Sequence, residues 1–389
     1  MRRLGPWLAV GWIGAATWLG CNAILGNESA VFAPDSGTLD VGAADGAALD
    51  DASVDDAADA SIDAEDDSGP CVDLDKNPRH CGACKHDCRG GDCVDGGCRP
   101  VLLASDLPGP STIAVDATHV YWINASTGDL FSVPIDGGAK TLLFDGPDGL
   151  SGTSLALHGG NVYFGIGDLD AGVVRCSAPA CDGGPSYTIT NADVPVSVFV
   201  TPAGTLYFAE TVPNAGIERC QLPCTLGTET FIGPSQNFPD HVVVDPDGVV
   251  YWTAANPYPG RLQAQPPGGA PRTVANGPIT AVAPAAGEVY YVEEGTGPSA
   301  APLDGGGPRR LRTVMSHGRH FALANDVIYA TESQEDFVYA CARSGCGDGG
   351  VVLARKQPTP RGIVFDQTYI YWANEGSIGT GGQIMRLAR

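Results

Sequence analysis

Val120-Tyr121-Trp122-Ile123-Asn124 is the most informative segment of the 389-residue chain, because near-copies of it return at regular intervals. Each copy has an apolar residue, then Tyr, then usually another aromatic residue. The seven copies are centred on Tyr121, Tyr163, Tyr207, Tyr251, Tyr290, Tyr329 and Tyr371. Successive tyrosines are 42, 44, 44, 39, 39 and 42 residues apart, and a fixed period of this length indicates a repeat architecture.

The residues around the first copy show what one repeat contains. Four short segments, rich in β-branched and aromatic residues, are separated by turn residues. They are Ser111–Asp116, His119–Asn124, Asp129–Pro134 and Lys140–Phe144. The hairpin signal Asp-Gly-Gly begins at Asp136, Asp182, Asp304 and Asp348. Four antiparallel strands in about forty residues form the blade of a β-propeller. The sequence therefore predicts an all-β fold with a seven-bladed β-propeller over residues 99–389.

The two ends of the repeat region predict how the ring closes. The seventh unit stops after Gln383–Leu387, its third strand, and has no fourth strand. Pro100–Ala104, in contrast, has the pattern of a fourth strand with no partners before it. We therefore expect this N-terminal strand to close the last blade, which removes the exposed sheet edges that invite aggregation.

The repeated motif also carries a resemblance. Its variants Tyr-Trp-Ile-Asn at 121–124, Tyr-Trp-Thr-Ala at 251–254 and Tyr-Trp-Ala-Asn at 371–374 resemble the Tyr-Trp-Thr-Asp class of propellers and related bacterial families. Members of that class often have six blades. A six-bladed ring with one divergent unit outside it is therefore the alternative to the seven-bladed ring.

The first twenty residues are a targeting segment rather than part of the fold. Arg2 and Arg3 precede an uncharged, mostly apolar run over residues 4–20, which predicts a signal peptide. The ending Trp18-Leu19-Gly20-Cys21 resembles the lipobox of bacterial lipoproteins, and the resemblance implies that Cys21 is lipid-modified. We expect an exported protein that is anchored through this lipid to the cell envelope, at the outer membrane or the surface. A simple cleaved signal followed by secretion is the alternative.

Residues 21–70 have the composition of a disordered linker. Between Asp35 and Asp67 there are 12 acidic residues, and no Lys or Arg occurs between Arg3 and Lys76. Because like charges repel and little apolar surface is available for burial, this segment should be an extended tether. The whole chain has a net charge of −23, which excludes nucleic acid and anionic membrane surfaces as partners.

The cysteines predict an oxidising compartment, because twelve of the 13 fall into even groups. Residues 71–98 form a cysteine-rich module that contains Cys71, Cys81, Cys84, Cys88, Cys93 and Cys98. We expect three disulfides there, out of fifteen connectivities. A zinc site that uses His80 and His86 beside Cys81-x2-Cys84 is the alternative. Residues 77–88 resemble short cysteine-rich segments of secreted proteins from myxobacteria.

The remaining cysteines lie in the repeats as three close pairs. They are Cys176/Cys181, Cys220/Cys224 and Cys341/Cys346. The first member of each pair lies at the end of a third strand, and the second lies before or within the turn that follows. Each pair is therefore predicted to form a disulfide across the turn of a blade hairpin. Closing so small a loop should stabilise the folded state by roughly 2 kcal/mol on the chain-entropy estimate.

The position three residues after each motif tyrosine is the candidate for function, because it lies at the end of a second strand and five of its seven occupants are polar. The candidate ligand or cation face comprises Asn124, Glu210, Glu293, Glu332, Asn374 and Glu375, with Glu294 beside it. Amides and carboxylates in a ring suit a polar ligand or a calcium ion in the propeller channel. The alternative is that these residues only begin solvated turns. No other cofactor is predicted.

The remaining motifs leave the function open among three classes. Propeller-type lactonases carry a Glu, Asn and Asp metal set in the channel, and the polar ring is its nearest match here; His317 and His320 are a second candidate ligand pair. The chain has no His-Glu-x-x-His, no Gly-x-Ser-x-Gly and no phosphate loop. We therefore predict a monomeric binding module for a protein, a glycan or a small ligand. A metal-dependent lactonase or lyase and a structural display scaffold are the alternatives.

Overall fold

The structure is a computed structural model in which the described residues are 71–389 with several gaps. The gaps are 72, 126, 147–153, 167–171, 191–194, 211–215, 225–226, 234–236, 257, 286, 313–317, 348 and 378–379. The predicted signal peptide, Cys21 and the acidic linker lie outside the described residues. The chain divides into two compact units with a boundary between Arg99 and Pro100. Nowhere in the described ranges is there a helix with the length and apolar character needed to cross a membrane.

The cysteine-rich module contains the three predicted disulfides, in the connectivity Cys71–Cys84, Cys81–Cys93 and Cys88–Cys98. A short hairpin of β1 (Cys93–Val94) and β2 (Gly97–Cys98) completes it. Gly82 has φ +72°, and a Cβ there would lie 2.4 Å from the carbonyl oxygen of Gly96, so only glycine fits. His80 accepts a hydrogen bond from the Lys85 amide at 2.9 Å, so its ring serves the local turn. The zinc alternative is wrong here, because all six sulfur atoms are in disulfides.

The second unit begins with β3 (Val101–Leu107), which is followed in chain order by 27 strands within the described residues. Blade 1 contains β4 (Pro110–Val115), β5 (His119–Asn124), β6 (Leu130–Pro134) and β7 (Thr141–Phe144). Blade 2 contains β8 (Leu155–His158), β9 (Asn161–Ile166), β10 (Gly172–Ser177) and β11 (Ser186–Thr190). Blade 3 contains β12 (Pro195–Val200), β13 (Thr205–Glu210), β14 (Ile217–Gln221) and β15 (Thr230–Ile232). Blade 4 contains β16 (Asn237–Val244), β17 (Val250–Asn256), β18 (Arg261–Gln265) and β19 (Arg272–Asn276).

The last three blades follow the same plan. Blade 5 contains β20 (Ile279–Ala285), β21 (Glu288–Glu293), β22 (Gly297–Pro302) and β23 (Arg309–Arg310). Blade 6 contains β24 (Gly318–Ala324), β25 (Val327–Glu332), β26 (Phe337–Ala342) and β27 (Val351–Arg355). Blade 7 contains β28 (Pro360–Phe365), β29 (Tyr369–Asn374) and β30 (Gly382–Ala388), and β3 is its fourth strand. The predicted seven-bladed propeller is thus confirmed, and the six-bladed alternative is wrong.

The ring closes through antiparallel pairing of β3 with β30. Val101 lies opposite Arg386, and Leu102 lies opposite Met385. The strand therefore completes blade 7 with residues from the other end of the repeat region. Leu103 and Leu107 are buried in the cluster that joins blade 7 to blade 1.

The Tyr-Trp dipeptide has a packing role that follows from strand geometry. Successive side chains of a strand point to opposite faces of the sheet. Tyr121 therefore packs with Phe164 of blade 2, whereas Trp122 packs with Tyr371 of blade 7. Both residues of the dipeptide are completely buried. Two adjacent aromatic residues thus fill the two interfaces of one blade, which explains why such a pair recurs in six of the seven repeats; in blade 6 the second residue is Ala330.

A half-buried carboxylate fixes the first turn of several blades. Asp116 accepts hydrogen bonds through Oδ1 from the amides of Thr118 and His119, at 2.7 and 2.8 Å. Its Oδ2 accepts a bond from the Tyr121 hydroxyl at 2.7 Å. The same Tyr–Asp bond joins Tyr251 to Asp245 at 3.0 Å and Tyr371 to Asp366 at 2.8 Å. The motif tyrosine therefore ties the turn to the blade interface as well as filling that interface.

These tyrosines predict how stability depends on pH. Burial, followed by the hydrogen bond to Asp116, raises the pKa of Tyr121 above its ordinary value of 10.0, and the same two causes raise the pKa of Tyr251 and Tyr371. A raised pKa means that the folded state holds the proton more tightly. The resulting stabilisation is complete below about pH 10 and is lost as the pH rises further. We expect the urea midpoint to be nearly constant around neutral pH and to fall above about pH 10.

The triple variant Y121F, Y251F and Y371F tests this assignment by urea unfolding between neutral pH and about pH 11. Each lost bond to a carboxylate should cost about 1.5–3 kcal/mol at neutral pH, and the fall above pH 10 should be smaller than in the parent. Y187F is the matched control, because Tyr187 is half exposed. An equally steep fall in the triple variant would show that other groups cause the pH dependence.

Serine hydroxyls connect neighbouring inner strands where bulges interrupt the ladders. The register of blade 3 shifts between Pro195 and Ser197, and that of blade 4 shifts between Pro239 and Val242. Ser197 Oγ accepts a hydrogen bond from the Val242 amide at 3.0 Å, across the blade boundary. Ser154 Oγ accepts one from Val198 at 2.6 Å in the same way. A backbone amide of one inner strand thus bonds to a serine hydroxyl of the preceding blade.

The propeller disulfides close the turns between third and fourth strands, as predicted. They are Cys176–Cys181, Cys220–Cys224 and Cys341–Cys346. Two of these turns are bonded to the preceding blade. Ser132 Oγ donates to the carbonyl oxygen of Pro179 at 2.9 Å, and Arg309 Nη1 donates to that of Ser344 at 3.1 Å. The disulfides therefore shape one face of the ring, which we call the lower face.

Candidate functional site

The opposite, upper face is where inner strands begin and second strands end. Five of the predicted ring residues lie there, each opposite the first residue of its inner strand. These pairs are Asn124 and Pro110, Glu210 and Pro195, Glu293 and Ile279, Glu332 and Gly318, and Asn374 and Pro360. Four of the five are buried, and Glu293 is half-buried. The structure thus brings them to one face but places most of them inside the blades.

Glu332 is held by a buried ion pair. Arg312 Nη1 lies 3.4 Å from Glu332 Oε2, and the two side chains are only 7% and 3% exposed. The guanidinium also lies over the rings of Tyr339 and Phe337, at 4.8 and 5.7 Å from their centroids. Arg312 comes from the connection that leads into blade 6. The Arg312 guanidinium neutralises the Glu332 carboxylate inside the protein and itself packs against the two aromatic rings.

The amide nitrogen of Asn374 bonds to a residue of the connection that leads into blade 7, whereas its Oδ1 has no hydrogen-bond partner among the described residues. Asn374 Nδ2 donates to Gln357 Oε1 at 2.9 Å, and Trp372 Nε1 donates to the same oxygen at 3.0 Å. In blade 1 the position three residues before the inner strand is Leu107 instead of Gln357. Among the described residues, neither polar atom of the Asn124 amide has a hydrogen-bond partner. The two asparagines are therefore equivalent in position but not in environment.

The carboxylates nearer the rim are also engaged. Glu375 Oε2 accepts from Arg361 Nε at 2.8 Å and from Nη2 of the same guanidinium, and the side chains are 25% and 16% exposed. Glu293 Oε2 accepts from the Thr296 hydroxyl at 2.9 Å. These contacts are local to each blade, so the acidic residues of the face are distributed around the ring and do not converge.

The candidate histidine pair is only half described, because His317 lies outside the described residues. His320 is 1% exposed and lies on the inner strand of blade 6. His241 occupies the equivalent position in blade 4 and is 3% exposed. Its Nδ1 is 3.3 Å from the Thr253 hydroxyl and 3.3 Å from Asp240 Oδ2. Sequence reasoning missed His241, although its spacing from Tyr251 matches that of His320 from Tyr329 within one residue.

Side chains that could ligate a metal come close together at one place in the part of the chain that the structure describes. Within the described ranges, the one group of three His, Cys, Asp or Glu side chains whose ligand atoms lie within 4.8 Å of one another is Cys81, Cys88 and Cys98. Those sulfur atoms are in disulfides. The acidic residues of the upper face are therefore better described as separate polar contacts than as a preformed cage.

A cavity of about 450 Å³ lies on the upper face, over blades 4 and 5. Its apolar wall includes Ala255, Tyr258, Pro259 and Ile279, and its polar side includes Asp240, Arg261 and Glu294. Tyr258 is 91% exposed, and the Asp240 side chain is 30% exposed. Its volume lies within the range of small-molecule sites, about 300–1,000 Å³.

Two glycines create the floor of this cavity. Gly260 has φ +98°, and a Cβ there would lie 2.8 Å from the carbonyl oxygen of Gly277. Gly277 has φ +145°, and its own Cβ would lie 2.6 Å from Glu293 Oε1. The two backbones approach this closely because neither residue has a side chain, and the Gly277 amide donates to Gly260 at 3.0 Å. Among the described residues of the predicted face, Glu294 lines this cavity, and Glu293 lies directly behind Gly277.

Comparison with known proteins supports the fold. No protein-family model matches the chain, and no curated protein matches it in sequence. Virginiamycin B lyase from Staphylococcus aureus is 17% identical and superposes with a TM-score of 0.57, covering 74% of this chain and 98% of the lyase chain. A catalytically inactive histidine variant of that lyase with quinupristin superposes with a TM-score of 0.53 at 17% identity, covering 75% of this chain and 98% of the variant chain. The computationally designed protein Ika8 superposes with a TM-score of 0.53 at 11% identity, covering 74% of this chain and 98% of the designed chain. At these identities the likeness establishes a shared propeller fold.

Proposed function

We propose that this protein is an exported, lipid-anchored β-propeller that binds a small ligand in the cavity over blades 4 and 5. The observation that carries the proposal is the cavity itself, a concave, partly apolar site with an exposed aromatic ring at its rim. Asp240 and Glu294 contribute two carboxylates against the single guanidinium of Arg261. The preferred ligand is therefore one with an apolar body and a basic group.

The electrostatics of the chain favour the same ligand. With a net charge of −23, the protein attracts cations over distances longer than any single contact. At the rim, the electron-rich face of Tyr258 suits an ammonium group, and the prolines beside it are rigid apolar neighbours. Calcium binding at the polar ring stays a prediction, and the dispersed carboxylates of that ring do not favour it over this cavity.

The proposal is tested by ligand-observed NMR with three probes that differ only in charge: 2-phenylethylamine, 2-phenylethanol and phenylacetate. We expect the amine to bind best, because the two carboxylates attract it and repel phenylacetate. The D240N/E294Q double variant should weaken amine binding by about tenfold, which corresponds to about 1.4 kcal/mol. Y258A should weaken the binding of all probes, because it removes the aromatic wall.

F231A is the matched control, since it removes an exposed aromatic ring of blade 3 that does not line the cavity. It should leave binding unchanged. Equal binding of the amine and the alcohol would contradict the charge preference, and binding that does not respond to Y258A would contradict the choice of cavity.

A lyase activity is the second candidate, and one observation favours it. Asp240 Oδ2 lies 3.3 Å from His241 Nδ1 at the edge of the same cavity, and a carboxylate that orients a histidine is a common general-base arrangement. The fold is shared with virginiamycin B lyase, a protein for which a histidine variant is described as catalytically inactive. Turnover of quinupristin that is abolished in H241A would support it, and turnover at the parent rate in H241A would reject this dyad.

The proposed location rests on the first 21 residues. Arg2, Arg3 and the apolar run that follows have the pattern of a signal peptide, and Cys21 is at the lipobox cysteine position. Lipidation at Cys21 would anchor the chain, and the acidic linker would hold the propeller away from the membrane. Expression of C21S in a bacterium should move the protein from the membrane fraction to the soluble fraction. A variant that stays membrane-bound would contradict lipid anchoring through this residue.

A further inference from the structure

The lower face provides a comparison among blade junctions. At four junctions, a side chain on a third or fourth strand donates a hydrogen bond to a carbonyl oxygen in the last turn of the next blade. These bonds are Ser132 to Pro179 at 2.9 Å, Arg272 to Leu303 at 2.6 Å, Arg309 to Ser344 at 3.1 Å, and Arg386 to Ile135. Direct bonds of this kind fill the space between the blades.

The junction between blades 2 and 3 differs, because it contains a cavity of about 440 Å³. Arg175 of blade 2 occupies the position of Arg386 in blade 7, since each arginine lies directly opposite its motif tyrosine. Arg386 bonds to the following blade, whereas the side-chain bonds of Arg175 stay within its own blade, to Ser186 Oγ at 3.4 Å and to the Tyr163 side chain. Arg175 is exposed and lines the cavity.

The third turn of blade 3 forms the opposite wall. Leu222, Pro223 and Cys224 line the cavity, and the disulfide from Cys220 to Cys224 constrains this turn. His158 of blade 2 lies against the first turn of blade 3, because a Cβ on Gly204 would be 3.3 Å from His158 Nε2. The cavity therefore has rigid walls on both sides and belongs to the architecture of the junction.

The chemistry of the lining is unusual for this chain. Among the described residues, no Asp or Glu lines the cavity, although the protein carries a net charge of −23, and Arg175 and His158 line it. Ser186 and Thr188 add hydroxyl groups, and the half-exposed Tyr187 also lines the cavity. A guanidinium fork binds a planar anion in two-point fashion, and hydroxyl groups beside an aromatic face suit a polyhydroxylated ring.

We propose that the cavity between blades 2 and 3 is a binding site for an acidic saccharide. Arg175 binds the anionic group, a carboxylate or a sulfate, and Tyr187 packs against the face of the sugar ring. Ser186 and Thr188 bond to the sugar hydroxyls. This site is separate from the cavity on the upper face and prefers the opposite charge, so one anchored propeller carries two sites of different specificity.

The experiment is isothermal titration calorimetry of the full chain with digalacturonate, a sulfated galactose disaccharide, the neutral galactose disaccharide and a triglutamate peptide. We expect one or both acidic saccharides to bind, and the neutral disaccharide to bind at least tenfold more weakly. R175Q should reduce the affinity for the acidic saccharide by about tenfold or more. Y187A should also reduce the affinity for the acidic saccharide. Because Tyr187 is half exposed, its replacement should not disturb folding, so Y187A tests the site even if R175Q is unstable.

R219Q is the matched control, because Arg219 lies opposite the motif tyrosine of blade 3 just as Arg175 does in blade 2. It should leave the affinity unchanged. The proposal is overturned if no saccharide binds, if the neutral disaccharide binds as well as the acidic ones, or if R219Q has the same effect as R175Q. Tighter binding of triglutamate than of either acidic saccharide would overturn it in favour of a peptide site.

Discussion

Replacing Arg312 with methionine is expected to lower the free energy of unfolding by about 3–5 kcal/mol, because the substitution leaves the Glu332 carboxylate buried without its counter-ion. The ion pair is 3.4 Å long, and the Glu332 side chain is only 3% exposed. Methionine fills a volume similar to that of the arginine stem and keeps contact with the rings of Tyr339 and Phe337. The loss of unfolding free energy therefore reports mainly the cost of the unpaired charge, because the substitution leaves little empty volume.

The size of the effect is tested by urea unfolding of R312M, of E332L and of the double variant. Each single variant leaves one buried charge unpaired and should be strongly destabilised. R312M/E332L removes both charges and should recover most of the loss, since a buried pair replaced by apolar residues is often neutral. R361M is the matched control. Its partner Glu375 is 25% exposed, so solvent screens the pair and the loss should be about 1 kcal/mol or less.

The outcome bears on function as well as stability. If R312M is as stable as the parent protein, Glu332 does not depend on Arg312, and its carboxylate is available for a ligand as the position in the ring predicts. A double variant no more stable than the singles would show that the side chains contribute through packing alone. The expected pattern instead assigns Glu332 to the framework of blade 6.

This case shows why the position of a residue was predictable while its partners were not. Glu332 follows Tyr329 by a fixed spacing, and every strand of that length ends at the same face, so periodicity was sufficient to place it. Arg312 lies in an irregular connection 20 residues earlier. The sequence of that connection does not follow the repeat. In blade 7 the equivalent contact to Asn374 is made by Gln357, through an amide instead of a guanidinium. Contacts made by connections therefore carry no periodic signal.

The same distinction applies to the cavities and the disulfides. The pair Cys220 and Cys224 lies within one hairpin, so its bonding followed from spacing alone. The cavity on the upper face depends on how far the turn around Tyr258 extends over blade 5, which the spacing of the motif tyrosines does not report. Arg175 has the same place in its repeat as Arg386, and only the structure shows that one junction is open and the other is filled.

Replacing β3 by a seven-residue Gly/Ser segment is expected to abolish cooperative folding of the propeller. The change removes the fourth strand of blade 7 and the buried side chains of Leu103 and Leu107. Truncating a buried leucine alone costs about 2–5 kcal/mol, and a whole domain is stabilised by only about 5–15 kcal/mol. The edge of β30 would also be exposed for pairing with other chains, which favours aggregation.

Circular dichroism melting and size-exclusion chromatography measure this outcome. A Gly/Ser replacement of seven linker residues, Asp50–Asp56, is the control for altered composition and should leave melting and elution unchanged. A β3 variant that melts at the parent temperature as a monomer would show that the ring does not depend on its closing strand.

A rescue variant separates the loss of the closing strand from general damage to the N-terminal region. Because Val101 lies opposite Arg386, the start of β3 is beside the end of β30. A short hairpin turn after Arg389 followed by the β3 sequence would therefore place the same strand on the same edge without a long connection. We expect this chain to recover a cooperative transition and a monomeric elution volume.

Recovery would establish that the propeller requires a strand paired with β30, and that this strand need not come from the N-terminal end of the propeller. Failure of the relocated strand, with the linker control intact, would show that residues 100–108 also act through their connection to blade 1.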